Sequence, residues 1–268
     1  MPAETLAGFA AFVGAHALAV FFGLLTVLLL LVAGGGWLLR SRVLPQVQGR
    51  LWPLALVVLS AAIGFALVLC AAALFAEIAE HLGPGRTMSL ADETLTAAIR
   101  SHVSATTLGV FGVLTHFGDM ITLTLLGACV ALLLWWQRKR ALALGWVIAL
   151  GGNALLNPLL KRVFERVRPL HEPGLISEPG WSFPSGHTSG ATVAYGMLAY
   201  VAIRTLPVAW HVPAVLAATA LAFTVGCSRV FLQVHFASDV LAGFASGAAW
   251  LTVCIVSVEL ARVYRQQA

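Results

Sequence analysis

Ala17-Leu-Ala-Val-Phe-Phe-Gly-Leu-Leu-Thr-Val-Leu-Leu-Leu-Leu-Val-Ala33 holds no charged residue, and the expected span around it runs from His16 to Leu38. As a helix rising about 1.5 Å per residue it is long enough for a hydrocarbon layer of roughly 30 Å. No water is available there to satisfy backbone amides, so such a segment has to be helical. The same texture recurs along the chain. Of its 268 residues 60% are hydrophobic and 10% charged, far more apolar than a soluble core of this size needs. The composition predicts an all-α integral membrane bundle. The apolar stretch from Thr5 to Leu39 is too long for a signal-peptide core and follows no basic leader, so it reads as mature structure.

Counting runs near the spanning length gives seven expected helices, around 16–38, 51–76, 120–137, 141–160, 187–203, 212–229 and 240–258. The excess of 16 Lys and Arg over 11 Asp and Glu does not form a nucleic-acid surface, because the basic residues sit in short clusters between apolar runs. Arg40, Arg42 and Arg50 follow the first run, Arg138, Lys139 and Arg140 the third, and Arg262 and Arg265 the last. Placed inside the cell, these clusters put the amino terminus outside and the carboxyl terminus inside, as an odd number of spans requires. Residues 1–90 then form an amino-terminal helical part, 91–260 a core and 261–268 a short basic tail. Leu95 to Gly118 has a helix-like alternation suited to the interface. Cys70, Cys129, Cys227 and Cys254 lie in apolar segments without close pairing and read as packing residues.

That orientation leaves Arg86, Arg100, Lys161, Arg162, Arg166, Arg168 and Arg229 on the outer side, against the usual bias. Five of them gather in two places, which points to an anion pocket. Lys161-x6-Arg168-Pro169 ends the fourth expected span; if the helix continues, two turns put both cations on one face roughly 10 Å apart, with Pro169 ending it. A lipid-headgroup anchor is the alternative. Pro184-Ser185-Gly186-His187 precedes the fifth span, where free amides and the helix dipole favour an anion, Gly186 admits close approach, Ser185 donates a hydroxyl and His187 can be protonated. An ordinary serine cap explains the same residues. Ser228-Arg229-x5-His235-x3-Asp239 joins the last two spans. A carboxylate four residues from a histidine can hold one ring nitrogen and leave the other as a nucleophile, although a solvated His/Asp pair would look the same.

Taken together, the three blocks resemble the three-part signature of the type-2 phosphatidic acid phosphatase superfamily, which also includes vanadium haloperoxidases. Every signature position is matched, over roughly residues 90–260. The resemblance implies a helical bundle with its active site at the outer membrane surface. It also implies His235 as nucleophile, Asp239 as its orienting acid and His187 as proton donor to the leaving oxygen. Lys161, Arg168, Ser185, Gly186 and Arg229 would hold the phosphate, with no metal ion or cofactor.

The expected substrate is a lipid phosphate or diphosphate, such as undecaprenyl diphosphate or phosphatidic acid, met in a bacterial inner membrane with the site facing the periplasm. A phosphotransferase would use the same phosphohistidine, and an anionic-lipid transporter would use the cations but has no need of the His235 and Asp239 pair. A vanadate-dependent haloperoxidase fits poorly with seven apolar spans. His16, His81, His102, His116, His171 and His211 lack acid or cysteine partners at metal spacing and read as structural or exposed. Asn153 and Asn157 suit interhelical hydrogen bonds, Asp92 and Asp119 suit helix caps, and Arg162, Glu165, Arg166 and His171 lie near enough to meet a headgroup. Gly34-Gly35-Gly36 and Gly243-x-x-x-Gly247 read as small-residue contacts.

Overall fold

The computed structural model describes residues 3–43, 45, 53–169 and 179–267, and among them there is no strand. Two helices occupy the first apolar stretch. Helices α1 (Ala3–Ala15) and α2 (Ala17–Leu38) break at His16, and α2 runs into a π turn at Leu39–Val43. The chain continues as α3 (Pro53–Glu80), α4 (Thr87–His102), α5 (Ala105–Leu114), a 3-10 turn at Thr115–Gly118, α6 (Met120–Trp136) and α7 (Arg140–Phe164). Helices α8 (Gly186–Thr205), α9 (His211–Phe231) and α10 (Ala237–Gln267) complete it.

Five stretches are long and apolar enough to cross a membrane: Ala17–Arg42, Val58–Glu80, Arg140–Phe164, Val208–Phe231 and Ala237–Arg265. A sixth forms if Ala105–Gly118 and Met120–Trp136, bent by 41° at Asp119, count as one broken span. The expected interfacial stretch 95–118 therefore divides: its first part lies in α4, and its second leads into α6. Helix α8, expected as a span, has 20 residues but is not among the five. Its environment is protein on most sides. Ala191, Val193, Ala194 and Met197 are 0% exposed, and α7, α9 and α10 pack around it.

Close approach of backbones makes that packing possible, since lipid gives apolar helices little incentive to prefer each other over tails. A Cβ on Gly243 would sit 2.8 Å from the Ser185 carbonyl oxygen, and one on Gly247 would sit 3.0 Å from that of Ser189. The Gly243-x-x-x-Gly247 pair is thus a helix contact between α10 and α8. The Gly34-Gly35-Gly36 run is different: a Cβ on Gly34 or Gly35 meets nothing within 4 Å. Trp146 is fully buried and donates to the Gly127 carbonyl at 2.8 Å, joining α7 to α6. The amino-terminal helices pack on the core, α1 against α4, α2 against α9 and α3 against α10.

One end of the bundle is basic. Arg40 donates to the Val208 carbonyl at 3.0 Å, and Glu259 joins Tyr200, Arg204 and Arg262 at 2.7, 3.6 and 2.8 Å. The signature residues gather at the other end.

Candidate active site

The tight turn between α9 and α10 presents His235. The Arg229 carbonyl accepts the amides of Val234 and His235, both at 3.2 Å, and Gln233 takes φ 56°, a left-handed value that is uncommon outside glycine. His235 precedes α10 rather than lying within it, yet its Nδ1 stands 3.4 Å from Asp239 Oδ2 and 3.2 Å from Ser182 Oγ. Ser182 donates to the same carboxylate oxygen at 2.5 Å, and the Phe236 amide donates to it at 2.9 Å. On the far side of the ring, Nε2 faces Arg168 Nη1 at 3.0 Å. A guanidinium only donates, so Nε2 is the acceptor and Nδ1 carries the hydrogen. Burial, opposed by Asp239 and assisted by Arg168 and Arg229, lowers the His235 pKa to about 4. The ring is neutral at physiological pH, with a lone pair on Nε2.

The cations arrive differently from the expected two-turn helix. Helix α7 ends at Phe164; Glu165 takes a left-handed φ of 44° and returns its amide to the Lys161 carbonyl at 3.0 Å, a common way to close a helix. Lys161 and Arg168 therefore do not share a helical face. Pro169 disfavours helical geometry at Arg168, which lies in the irregular stretch after the helix. Lys161 Nζ donates to the Trp181 carbonyl at 2.6 Å. Arg168 donates to Gly180 at 3.0 Å and Val234 at 2.8 Å, so it ties the segment before Ser182 to the His235 turn, while Lys161 ties that segment to α7. Arg229 is 0% exposed and donates to Thr115 Oγ1 at 2.6 Å.

Ser185 caps α8, accepting from the Thr188 amide at 3.4 Å and the Thr188 hydroxyl at 2.9 Å, while its own amide donates to the Asp239 carbonyl at 3.0 Å. A Cβ on Gly186 would sit 2.9 Å from Asn157 Oδ1, so a side chain there would displace the Asn157 amide. Asn157 donates to Ser189 Oγ at 3.2 Å, the interhelical role expected of it. His187 Nε2 meets Asp119 Oδ1 at 2.7 Å, and Asp119 Oδ2 meets His116 Nδ1 at 2.5 Å. Asp119 makes no side-chain cap on α6, which corrects the capping role expected for it.

Asp92 is no cap either. It lies inside α4, buried, and accepts from Arg166 Nη2 at 2.9 Å and from the Ser238 amide at 3.2 Å. Burial pushes its carboxyl above the ordinary range despite the pull of Ser238 and Arg166. Arg166 also donates to Asp239 Oδ1 at 2.6 Å, facing inward rather than toward a headgroup. Sequence reasoning missed Ser182, which carries no signal in Trp181-Ser-Phe-Pro184. It misread Asp92 and Asp119, although for Asp119 an acid directly before a long apolar run was a signal. His171 lies outside the described residues. Among those residues, no group of three or more His, Cys, Asp or Glu is placed to hold a metal ion.

The sequence model of the PAP2 superfamily matches residues 140–262, which include all three blocks. A decaprenylphosphoryl-5-phosphoribose phosphatase of Mycobacterium tuberculosis is 34% identical over 146 residues, covering 50% of this chain and 71% of that protein. The chain belongs to the PAP2 superfamily. Phosphatidylglycerophosphatase B of Bacillus subtilis is 39% identical over 136 residues, covering 50% of this chain and 66% of that protein. A lipid A 1-phosphatase of Rhizobium etli is 32% identical, with 64% of its length covered. The chain thus spans about two thirds of the length of these curated PAP2 relatives. The crystal structure of a transmembrane PAP2-type phosphatidylglycerolphosphate phosphatase from Bacillus subtilis superposes with a TM-score of 0.64 at 32% identity, covering 72% of this chain and 94% of that one. With that likeness and its apolar spans, this PAP2 protein is an integral membrane helical bundle.

Proposed function

We propose that the protein is a lipid phosphatase working through a phosphohistidine on His235. The carrying observation is the imidazole itself: Nδ1 is held against Asp239 and Ser182, while the unprotonated Nε2 points to Arg168. In the reaction, the Nε2 lone pair attacks phosphorus and the bond from phosphorus to the leaving oxygen breaks. His187, paired with Asp119, gives that oxygen its proton. Asp239 supports the charge that the His235 ring acquires. Water then attacks the phosphohistidine, giving its proton to His187; the P–N bond breaks and phosphate leaves. Lys161, Arg168 and Arg229, with the Ser185 and Gly186 cap, hold the equatorial oxygens as charge develops.

The substrate follows from position. The site lies at the helix ends, so a headgroup reaches it while the tail stays in hydrocarbon, and each buried methylene contributes about 0.8 kcal/mol to partitioning. The basic opposite end, with Arg40, Arg204 and Arg262, supports a site facing away from the cytoplasm. Relatives named for phosphatidylglycerophosphate, lipid A and a decaprenyl phosphoribose phosphate support the lipid class without selecting a headgroup. The test is phosphate release by purified protein from undecaprenyl diphosphate, phosphatidylglycerol phosphate, phosphatidic acid and lipid A, with glucose 6-phosphate as soluble control. A lipid should have the highest kcat/KM; a better soluble ester would defeat the lipid assignment.

A further inference from the structure

Arg166 lies between two buried carboxylates. Its Nη1 donates to Asp239 Oδ1 at 2.6 Å and to Ser238 Oγ at 2.7 Å, and its Nη2 donates to Asp92 Oδ2 at 2.9 Å. The guanidinium centre is 4.3 Å from the Phe236 ring centroid. Asp92 also accepts from the Ser238 hydroxyl and amide. These contacts hold Oδ1 of Asp239, and the other oxygen, Oδ2, is the one that meets Ser182, the Phe236 amide and His235. A carboxylate held at one oxygen cannot rotate away at the other. The same helix grips the turn from its other side, where Arg100 Nε donates to Gln233 Oε1 at 2.9 Å. Asp92 and Arg100, roughly 12 Å apart along α4, straddle residues 233–238.

We propose that Arg166 and Asp92 are positioning residues for the nucleophile, a strut from α4 that sets the rotation of the Asp239 carboxylate and through it the ring of His235. Stability alone is a poor reason for the arrangement, because apolar side chains of similar volume replace buried ion pairs at little or no loss. Orientation does call for it: the planar guanidinium sends Nη1 to Asp239 and Nη2 to Asp92, so it fixes one carboxylate relative to the other, which a point charge does not. Neither residue touches the phosphate in this scheme. Their loss should therefore appear in kcat and leave KM almost unchanged.

The inference rests on the phosphohistidine reading and is tested beside it, on purified protein with phosphatidylglycerol phosphate and undecaprenyl diphosphate. Arg166→Gln should lower kcat by about 100-fold, the scale of a misplacement at a reacting centre, with KM within about threefold. Arg166→Lys should recover only part of that loss. Because Arg166→Gln alone leaves two buried carboxylates uncompensated, the decisive variant is Asp92→Asn/Arg166→Gln, which removes one charge of each sign. It should regain the wild-type thermal midpoint and remain as slow as Arg166→Gln. Wild-type kcat in that double variant would reduce the strut to scaffolding, and a loss confined to KM would make Arg166 a headgroup ligand; either result overturns the proposal. A wild type inactive on every lipid phosphate would remove the parent reading and this inference together.

Discussion

Arg168 Nη1 stands 3.0 Å from His235 Nε2, so a cation of the proposed phosphate cradle rests directly on the nitrogen proposed as nucleophile. On the proposed mechanism, a phosphoryl group entering the site would take the guanidinium from the ring and expose the lone pair. Arg168→Ala should lower kcat by about 10²- to 10³-fold, the usual loss for a transition-state donor, and also raise KM. Steady-state phosphate release checks both, and a variant with raised KM and unchanged kcat would assign Arg168 to binding alone.

His235→Asn should abolish turnover while leaving the protein folded. Asp239→Asn should cost about 10⁴-fold in kcat, because the ring loses both its tautomer and the support for its charge. Acid-labile, hydroxylamine-sensitive radiolabel from a ³²P-labelled lipid should appear on wild type and be missing from His235→Asn. Normal turnover by a folded His235→Asn protein defeats the mechanism.

The depressed pKa of His235 predicts a particular acid response. In the fold it protonates near 4, and in the unfolded chain near 6.5, so between those values the unfolded chain binds the extra proton. His235 thus contributes stability that is complete above about pH 6.5 and is lost as pH falls toward 4. The thermal midpoint of wild type should drop across that window more steeply than that of His235→Asn. Parallel curves would show that the buried ring is not titrating as described.

Activity should survive chelation, since on the proposed mechanism the cations of the cradle would do the work assigned elsewhere to magnesium. Orthovanadate should inhibit by imitating five-coordinate phosphorus. Phosphate release measured with EDTA, and again with graded vanadate, tests both; strict dependence on added magnesium would speak against this chemistry.

Exposed Ser101 lies toward the site end and exposed Arg138 at the opposite end. In a background lacking the four native cysteines, Ser101→Cys should label with an impermeant maleimide from the periplasmic side, and Arg138→Cys only after the inner face is opened. Labelling of both from one side would reverse the proposed topology.

How much of this was legible depended on how far apart the interacting residues lie in sequence. Spans such as 120–137 and 141–160 emerged within a few residues of Met120–Trp136 and Arg140–Phe164, because apolar length is local information. His235 and Asp239 could be paired at spacing four even though the turn between them is not helical throughout. The left-handed Glu165 could not be foreseen, since nothing about a glutamate there announces a helix stop. Ser182, Asp92 and Arg166 meet Asp239 from 57, 147 and 73 positions away, directly or through Ser238, and only the folded bundle brings them together.

Helix α8 carries Thr188, Ser189, Thr192, Tyr195 and Tyr200, and protein surrounds it on most sides. A segment of that kind has little tendency to partition from the translocon on its own hydrophobicity. Its protein surroundings are complete only once the last helix has been made, because Gly243 and Gly247, which meet its backbone, lie on α10. A chain stopped near residue 231 would keep the four apolar spans that precede α10 and lose both glycine contacts on the α8 backbone, next to Ser185 and Ser189.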